Sequence, residues 1–293
     1  MKKKIVSLLM CAVLAVGSLA ACGGQTEEAQ APVETNDVIT AKVIDVNLTD
    51  EQYAFGVDKA QPELLEKTNE YIAQIMSDGT FEEICNHYFG DGTPVPVASA
   101  VEGASDDQLL VACNAAFEPF EYMDGENYVG VDMEIAKGLA EYLGKELVIQ
   151  NMDFDSVCLS VGQHKSDIAM SGLTIKPERE EYVTFTDSYY EASQKLIVRS
   201  DNTEFDACTD KEAVEAILAT KDAATKVGVQ TGTTGQFYCE GDEGWGFTGF
   251  GMTCTGYRNG SLAVQDLLNG NLDYVIIDSA PAAAITEAIN KLQ

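Results

Sequence analysis

From Leu109 onward, short apolar runs alternate with segments of helical period, and few folds accommodate that alternation. Leu109–Ala112, Leu147–Gln150, Ile168–Met170, Lys226–Val229 and Tyr274–Ile277 are each too short for a helix and read as buried strands. Between them, Asp132 is placed to cap a helix that turns Ile135, Ala136, Leu139, Ala140 and Leu143 inward and closes at Gly144. Asp155 heads a second helix through Val157, Leu159 and Val161; a third starts at Gly235, and Ser261–Asn269 is a fourth with Gly270 as its cap. A strand–helix alternation of this kind predicts an α/β fold of mixed, mostly parallel sheets with helices on both faces. Ligands then meet the loops at the carboxyl ends of the strands. Ahead of this region, Pro62 suits the first turn of a helix that directs Leu65, Ile72, Ile75 and Met76 to one side. Gly90–Asp107, rich in Gly, Pro, Ser and Asp, reads as a loop.

The chain starts with a different kind of segment. Lys2, Lys3 and Lys4 precede the apolar run Ile5–Leu19, which ends in Leu19-Ala20-Ala21-Cys22. That run is shorter than the ~20 apolar residues a spanning helix needs, so it reads as an export signal over 1–22 with Cys22 as the lipidated residue. Residues 23–36 hold too little apolar surface to fold and read as a flexible tether. The expected location is therefore outside the cytoplasmic membrane, anchored by lipid to the bacterial cell.

With 48 acidic against 18 basic residues, the chain lacks the basic surface that nucleic acid requires. Cys85, Cys113, Cys158, Cys208, Cys239 and Cys254 form no C-x-x-C pair, so neither a zinc site nor any other metal or cofactor is expected. Cys239 and Cys254 flank a glycine-rich insert and are placed to bridge in an oxidising compartment. DGENYVGVD lacks the oxygen spacing of a calcium loop, and Gly244, Gly246 and Gly249 match G-x-G-x-x-G without opening a helix.

Four stretches carry recognition chemistry. MSGLTIKPEREEYVTFTDSYYEAS (Met170–Ser193) holds Arg179, whose planar guanidinium can grip a carboxylate through two parallel hydrogen bonds. Composition alone makes Arg179 a surface partner of Glu178, Glu180 or Glu181. VGVQTGTTGQFY (Val227–Tyr238) runs from a strand into Gly232-Thr233-Thr234-Gly235, where a helix N-terminus attracts anions; the phosphate-loop spacing is absent. YVIID ends in Asp278, either a counter-charge or a cap for the helix ahead. NAAFEPFEY and NMDFDS hold Phe117 and Phe154, and core packing is the commoner fate of any Phe.

Together these motifs resemble the polar amino-acid substrate-binding lipoproteins of ABC importers, with a two-lobed, type II periplasmic-binding-protein-like fold. The resemblance implies that Arg179, the Thr174 hydroxyl and the backbone at Ser171 and Gly172 hold the ligand α-carboxylate, with Thr234 adding a contact. It assigns Asp278 to the α-ammonium, Phe117 and Phe154 to a sandwich around the side chain, and Gln230 and Asn114 to the side-chain pocket. Asn114 stands where binders of cationic amino acids usually carry an acid, and Ile277 replaces a polar residue of some glutamine binders. An amide suits a neutral polar side chain, glutamine-like, although Glu118 or Glu191 offers negative charge.

The same resemblance gives an unusual segment order. Leu48–Gly92 resembles the stretch with which the family ends, and Leu109–Gly144 the stretch with which it begins. The chain thus resembles a circular permutant, its old connection cut between Gln293 and about residues 36–40. One lobe is expected over 49–92 and 109–198, joined by the linker 93–108, and the other over 37–46 and 201–293. Hinge crossings fall near Ile197–Ser200 and Val46–Gln52. The implied protein is a monomer that delivers an L-amino acid to a membrane permease. A receptor-sensing role, or a prephenate or arogenate dehydratase on the same fold, are the rivals. No enzyme is expected, since His87 and His164 lie away from the motifs and no nucleophile–base pairing is visible.

Overall fold

The computed structural model describes residues 38–105 and 107–292. The signal segment 1–22 with Cys22 and the tether 23–36 lie outside the described residues. The strands are β1 (Ala41–Ile44), β2 (Glu51–Tyr53), β3 (Gly56–Asp58), β4 (Gln108–Cys113), β5 (Ala116–Phe117), β6 (Glu121–Asp124), β7 (Asn127–Val129), β8 (Glu146–Asn151), β9 (Ile168–Ala169), β10 (Val183–Phe185), β11 (Tyr190–Ala192), β12 (Gln194–Arg199), β13 (Lys226–Gln230), β14 (Thr253–Tyr257) and β15 (Tyr274–Asp278). The helices are α1 (Pro62–Asp78), α2 (Thr80–Phe89), α3 (Val131–Leu143), α4 (Phe154–Gly162), α5 (Lys211–Leu218), α6 (Thr234–Glu240), α7 (Gly260–Leu268) and α8 (Ser279–Asn290).

Two five-stranded sheets organise these elements. The first has the order β10-β3-β9-β4-β8, the second β1-β12-β15-β13-β14. In each, the strands joined through helices pair in parallel: β9, β4 and β8 in one, β15, β13 and β14 in the other. The remaining neighbours are antiparallel, because β3, β10, β1 and β12 arrive from segments that return along or cross between the sheets. The expectation of mostly parallel sheets thus holds for the strands after Leu109 that follow helices, and fails for those contributed from elsewhere.

Each sheet is covered on both faces. On the first, Leu109, Val111 and Ile149 meet Ile72, Ile75, Ile135 and Leu139 of α1 and α3, while Ala112 and Ala169 meet Val157 and Val161 of α4. On the second, Val275 and Ile277 meet Val264, Leu267 and Ile285, and Val227 and Val229 meet Val214, Leu218 and Tyr238. Each fully buried aliphatic side chain contributes about 1.5–3 kcal/mol. In α1 the buried stripe is Leu64, Thr68, Tyr71, Ile72 and Ile75, so the expected face is rotated. Leu65 is partly buried and Met76 faces outward, while Pro62 does occupy the first turn.

Asp132 does not cap α3. The helix starts one residue earlier, and Asp132 is completely buried, accepting the Gly172 N–H at 2.8 Å and the Tyr189 hydroxyl at 2.6 Å. Asp153, rather than Asp155, precedes α4, and Asn259 caps α7. The turn into α3 depends on Gly130, whose φ of 132° is closed to most side chains. A Cβ there would sit 2.1 Å from the Phe120 carbonyl oxygen, and both partners are backbone. Gly130→Ala should therefore cost at least about 3 kcal/mol of stability, read as a lowered midpoint in chemical denaturation.

The division of the chain between the two sheets differs from expectation. Gln194–Arg199, assigned to the first lobe, is β12 of the second sheet, paired with β1 and β15. The crossing expected at Ile197–Ser200 therefore lies earlier, at Ser193–Gln194, beside the second crossing at Val46–Thr49. Leu48 N–H donates to the Gln194 carbonyl, and Gln194 N–H to the Thr49 hydroxyl, so the two crossings are bonded to each other. Next to them β2 and β11 form a separate antiparallel pair. The 93–108 linker is anchored: Val97 is fully buried and exchanges two backbone hydrogen bonds with Tyr128, while the Ser99 hydroxyl accepts from Ile149 N–H. Cys239 on α6 and Cys254 on β14 are both free cysteines.

Candidate functional site

The carboxyl ends of the strands of both sheets converge. On the first sheet β4 delivers Asn114, β8 leads to Phe154 at the start of α4, and β9 leads to Ser171, Gly172 and Thr174. A 3-10 turn over Arg179–Glu181 follows. On the second, β13 ends at Gln230 and runs through Gly232 into Thr234 at the start of α6, and β15 ends at Asp278. Contacts join the two sets. Gln230 Nε2 donates to Asn114 Oδ1 at 3.1 Å, Arg179 Nη2 to the Gly232 carbonyl at 3.1 Å, and the Thr234 hydroxyl lies 3.4 Å from that of Thr174.

Arg179 is not tied to the glutamates that flank it. Its Nη1 donates to the Thr174 carbonyl at 2.7 Å, its guanidinium carbon lies 5.2 Å from the centroid of the Phe154 ring, and it makes no ion pair among the described residues. A guanidinium has five N–H groups, so donors remain for an anion. Phe117 packs against Gly172, where a Cβ would approach the ring to 2.8 Å, and stacks on Phe120 rather than on Phe154. Gly172 has φ 51° and lends the close approach that this packing needs.

The opposite charge collects around Asp278. Its side chain makes no bond to the helix that follows, which removes the capping reading. It instead accepts the Tyr53 hydroxyl at 2.5 Å, and Glu51 lies close enough to act on it electrostatically. Glu51 is itself buried, accepting from Thr49 Oγ1 at 2.5 Å, Thr174 Oγ1 at 2.7 Å and Gln194 Nε2 at 2.9 Å. Burial first, then the charge of Glu51, push the Asp278 carboxyl up to about 7, against the lowering effect of hydrogen bonds from Tyr53 and Gln194. Burial, followed by Asp278 and Glu51, raises the Tyr53 phenol well above its ordinary value. Among the described residues neither carboxylate has a cationic partner. Gln194 Oε1, beside Glu51, is a buried acceptor with no donor, and so, on the Asn114 side of the site, is Gln230 Oε1. Unpaired buried acceptors are costly, so this cluster is complementary to a group that brings N–H donors and positive charge.

Behind the site a second acid pair holds the Ser171–Gly172 turn. Ser171 Oγ donates to Glu121 Oε1 at 2.7 Å and accepts Asn114 N–H at 2.9 Å, while Asp132 holds Gly172. Burial, and then the neighbouring Asp132 charge, raise Glu121 well above the carboxylate range; burial raises Asp132 to about 7. Both acids thus brace the Ser171–Gly172 turn from behind, each through hydrogen bonds that its carboxyl accepts. Glu51, Tyr53, Gln194, Glu121 and Asp132 were not singled out as part of the site. Glu51, Tyr53, Glu121 and Gln194 carry only the signal of a polar or aromatic residue in a strand, which a solvated edge shares, and Asp132 only that of a helix cap. Glu118 borders a groove with Tyr88, Ala280 and Glu287, and Glu191 meets Gln52 on β2, so neither is among the contacts that join the two sets of strand ends. No group of three metal-ligating side chains occurs among the described residues, and none of their helices is long and apolar enough to cross a membrane.

The sequence profile of the bacterial extracellular solute-binding proteins, family 3, matches residues 109–287. The arginine-binding extracellular protein ArtP of Bacillus subtilis is 39% identical over 95 residues, 32% of this chain and 37% of its own length. ABC transporter arginine-binding protein 1 of Escherichia coli is 31% identical over 186 residues, 63% of this chain and 69% of its own length. The probable histidine-binding protein of Neisseria gonorrhoeae is 30% identical over 177 residues, 59% of each chain. The chain thus spans from about a third to about two thirds of the length of these relatives. Among solved structures, an ancestral amino acid-binding protein, a precursor of cyclohexadienyl dehydratase, has a TM-score of 0.53 at 30% identity, covering 62% of this chain and 75% of that one. Holo ArgBP from T. maritima has a TM-score of 0.50 at 33% identity, covering 65% and 78%. The two-sheet fold, the convergence of strand ends and this match agree: the chain belongs to the bacterial extracellular solute-binding proteins, family 3.

Proposed function

We propose that the protein captures an L-amino acid between two lobes and hands it to the permease of an ABC importer, catalysing no reaction on it. The observation that carries this is the pairing of two incomplete charge sites. Arg179 has spare donors and no carboxylate, and Asp278 with Glu51 has no cation. A zwitterionic α-amino acid supplies both missing partners, each in a site partly stripped of water. Thr174 and the N-terminus of α6 at Thr234 reinforce the carboxylate end, and Phe117 and Phe154 flank the side chain.

The side-chain end presents amides: Asn114 and Gln230, with Gln230 Oε1 free to accept. That favours a neutral polar ligand such as glutamine. The relatives named above are arginine- and histidine-binding proteins, which favours a cationic one. A thermal-shift series on the purified mature chain separates the two. L-glutamine at a hundred times its Kd should raise Tm by about 5–10 °C, L-arginine by less, and D-glutamine not at all. The absence of a shift with every L-amino acid would remove the function, and a larger shift with L-arginine would reverse the ligand choice. Incubation with prephenate should leave it unconverted.

The lobes of this reading are residues 49–192 and, for the second, 38–48 with 194–292. Circular permutation is supported by the family match starting at residue 109, with β1, β2, β3, α1 and α2 ahead of it. It is also supported by Asn290 of α8, which accepts Ala41 N–H at 2.9 Å and donates to the Ala41 carbonyl at 2.8 Å, so first strand and last helix are neighbours. On the same reading Cys22 carries lipid and the chain hangs from the membrane outside the cell.

A further inference from the structure

Lys176 is a lysine with almost no exposed surface: it is 2% accessible, although it stands on the loop between β9 and β10, at the rim of the cleft. Burying an ammonium is expensive unless it is paired, and the groups that pair it come from the other sheet. Its Nζ lies 2.9 Å from Asp242 Oδ2 and 3.3 Å from the centroid of the Phe237 ring; Phe237 is on α6 and Asp242 follows it. Glu178, at 3.5 Å, is the sole partner from its own side. Trp245 lies beyond, 5.8 Å from Nζ, with its backbone N–H on Asp242 Oδ1. Arg179, Phe154 and Gly232 share with Lys176, Phe237 and Asp242 the lining of one cavity of about 310 Å³.

From this arrangement we propose that Lys176 is the residue that sets how tightly the cleft stays shut, by locking the rim of the first lobe onto Phe237 and Asp242 of the second. The proposal deepens the amino-acid-binding reading and rests on it for its consequence, since closure is what retains the ligand. If the lobes part, Lys176 Nζ returns to water and loses both partners at once, so the contact exists only in the closed form. By contrast, Arg258 and Asp153, the other ion pair across the rim, are largely exposed and worth little. The Trp245 indole N–H, beside this contact, is buried with no acceptor among the described residues.

The full mature chain carries its own reporter, because Trp245 is its single tryptophan. Lys176→Met and Asp242→Asn are compared with wild type by small-angle X-ray scattering and Trp245 emission without ligand, and by dissociation rate with L-glutamine and L-arginine. Both variants should scatter as a more open particle, emit at longer wavelength and release whichever amino acid binds about ten times faster, with association little changed. The double variant should lose no more than either single one, as expected for partners in one contact. Wild-type scattering and emission in the single variants that fold, or in Asp242→Asn alone if Lys176→Met does not fold, would overturn the proposal. If neither amino acid binds any form, the binding reading is what fails, and scattering of the free proteins still decides the lock.

Discussion

Arg179→Ala should lower amino-acid affinity at least about a hundredfold in calorimetry, with little change in the fold. Truncating one partner of a desolvated, hydrogen-bonded charge pair costs about 2–5 kcal/mol, and here it would leave the ligand carboxylate facing Phe154 and backbone carbonyls. The folded chain loses less, since Arg179 is half-buried and bonds only to the Thr174 and Gly232 carbonyls, which water can serve instead. Arg179→Lys should recover only part of the loss, because an ammonium cannot offer two parallel donors. Wild-type affinity in the alanine variant would end the carboxylate assignment.

Asp278→Asn should cost a similar factor and leave a second signature. With its carboxyl raised to about 7, Asp278 is largely protonated in the free protein below that pH, and an incoming ammonium must displace the proton. Affinity should therefore fall by up to about tenfold per pH unit below 7, with proton release visible as a dependence of binding heat on buffer. The amide variant should bind weakly with a flat profile. Stability follows the opposite course. The folded value exceeds the ordinary 3.8, so this group's contribution is fully present below about pH 4 and is lost as pH rises through about 7. Ligand-free Asp278→Asn should consequently be more stable than wild type at pH 8, the gap closing towards pH 4. An unchanged pH profile of binding in wild type would show that some other acid meets the ammonium.

The backbone of this site was legible because strand periodicity and glycine placement fix where strands stop. Leu109, Leu147, Ile168, Lys226 and Tyr274 all lie in the strands expected of them. The carboxylates were not legible. Asp132 sits where a helix cap would, and only the tertiary fold shows that Gly130 takes that place and turns the acid inward. Glu51 and Gln194 lie on the crossings between the sheets, where neighbours come from residues about 140 positions away. No local pattern marks such a partner. The same cause misplaced β12: its apolar run fits either sheet, and only pairing with β1 and β15 decides.

The clasp between Asn290 and Ala41 has a mechanical consequence. Any pull that reaches the described chain from its preceding residues arrives at β1. There it meets four register pairs with β12 and two side-chain bonds from α8, which resist together as a sheared patch. The load is thus spread through the second sheet before it reaches the crossings at Val46–Thr49 and Ser193–Gln194. On the anchoring proposed above, a drag from the residues ahead of β1 would load the second sheet before it worked against the contacts that join the two sets of strand ends.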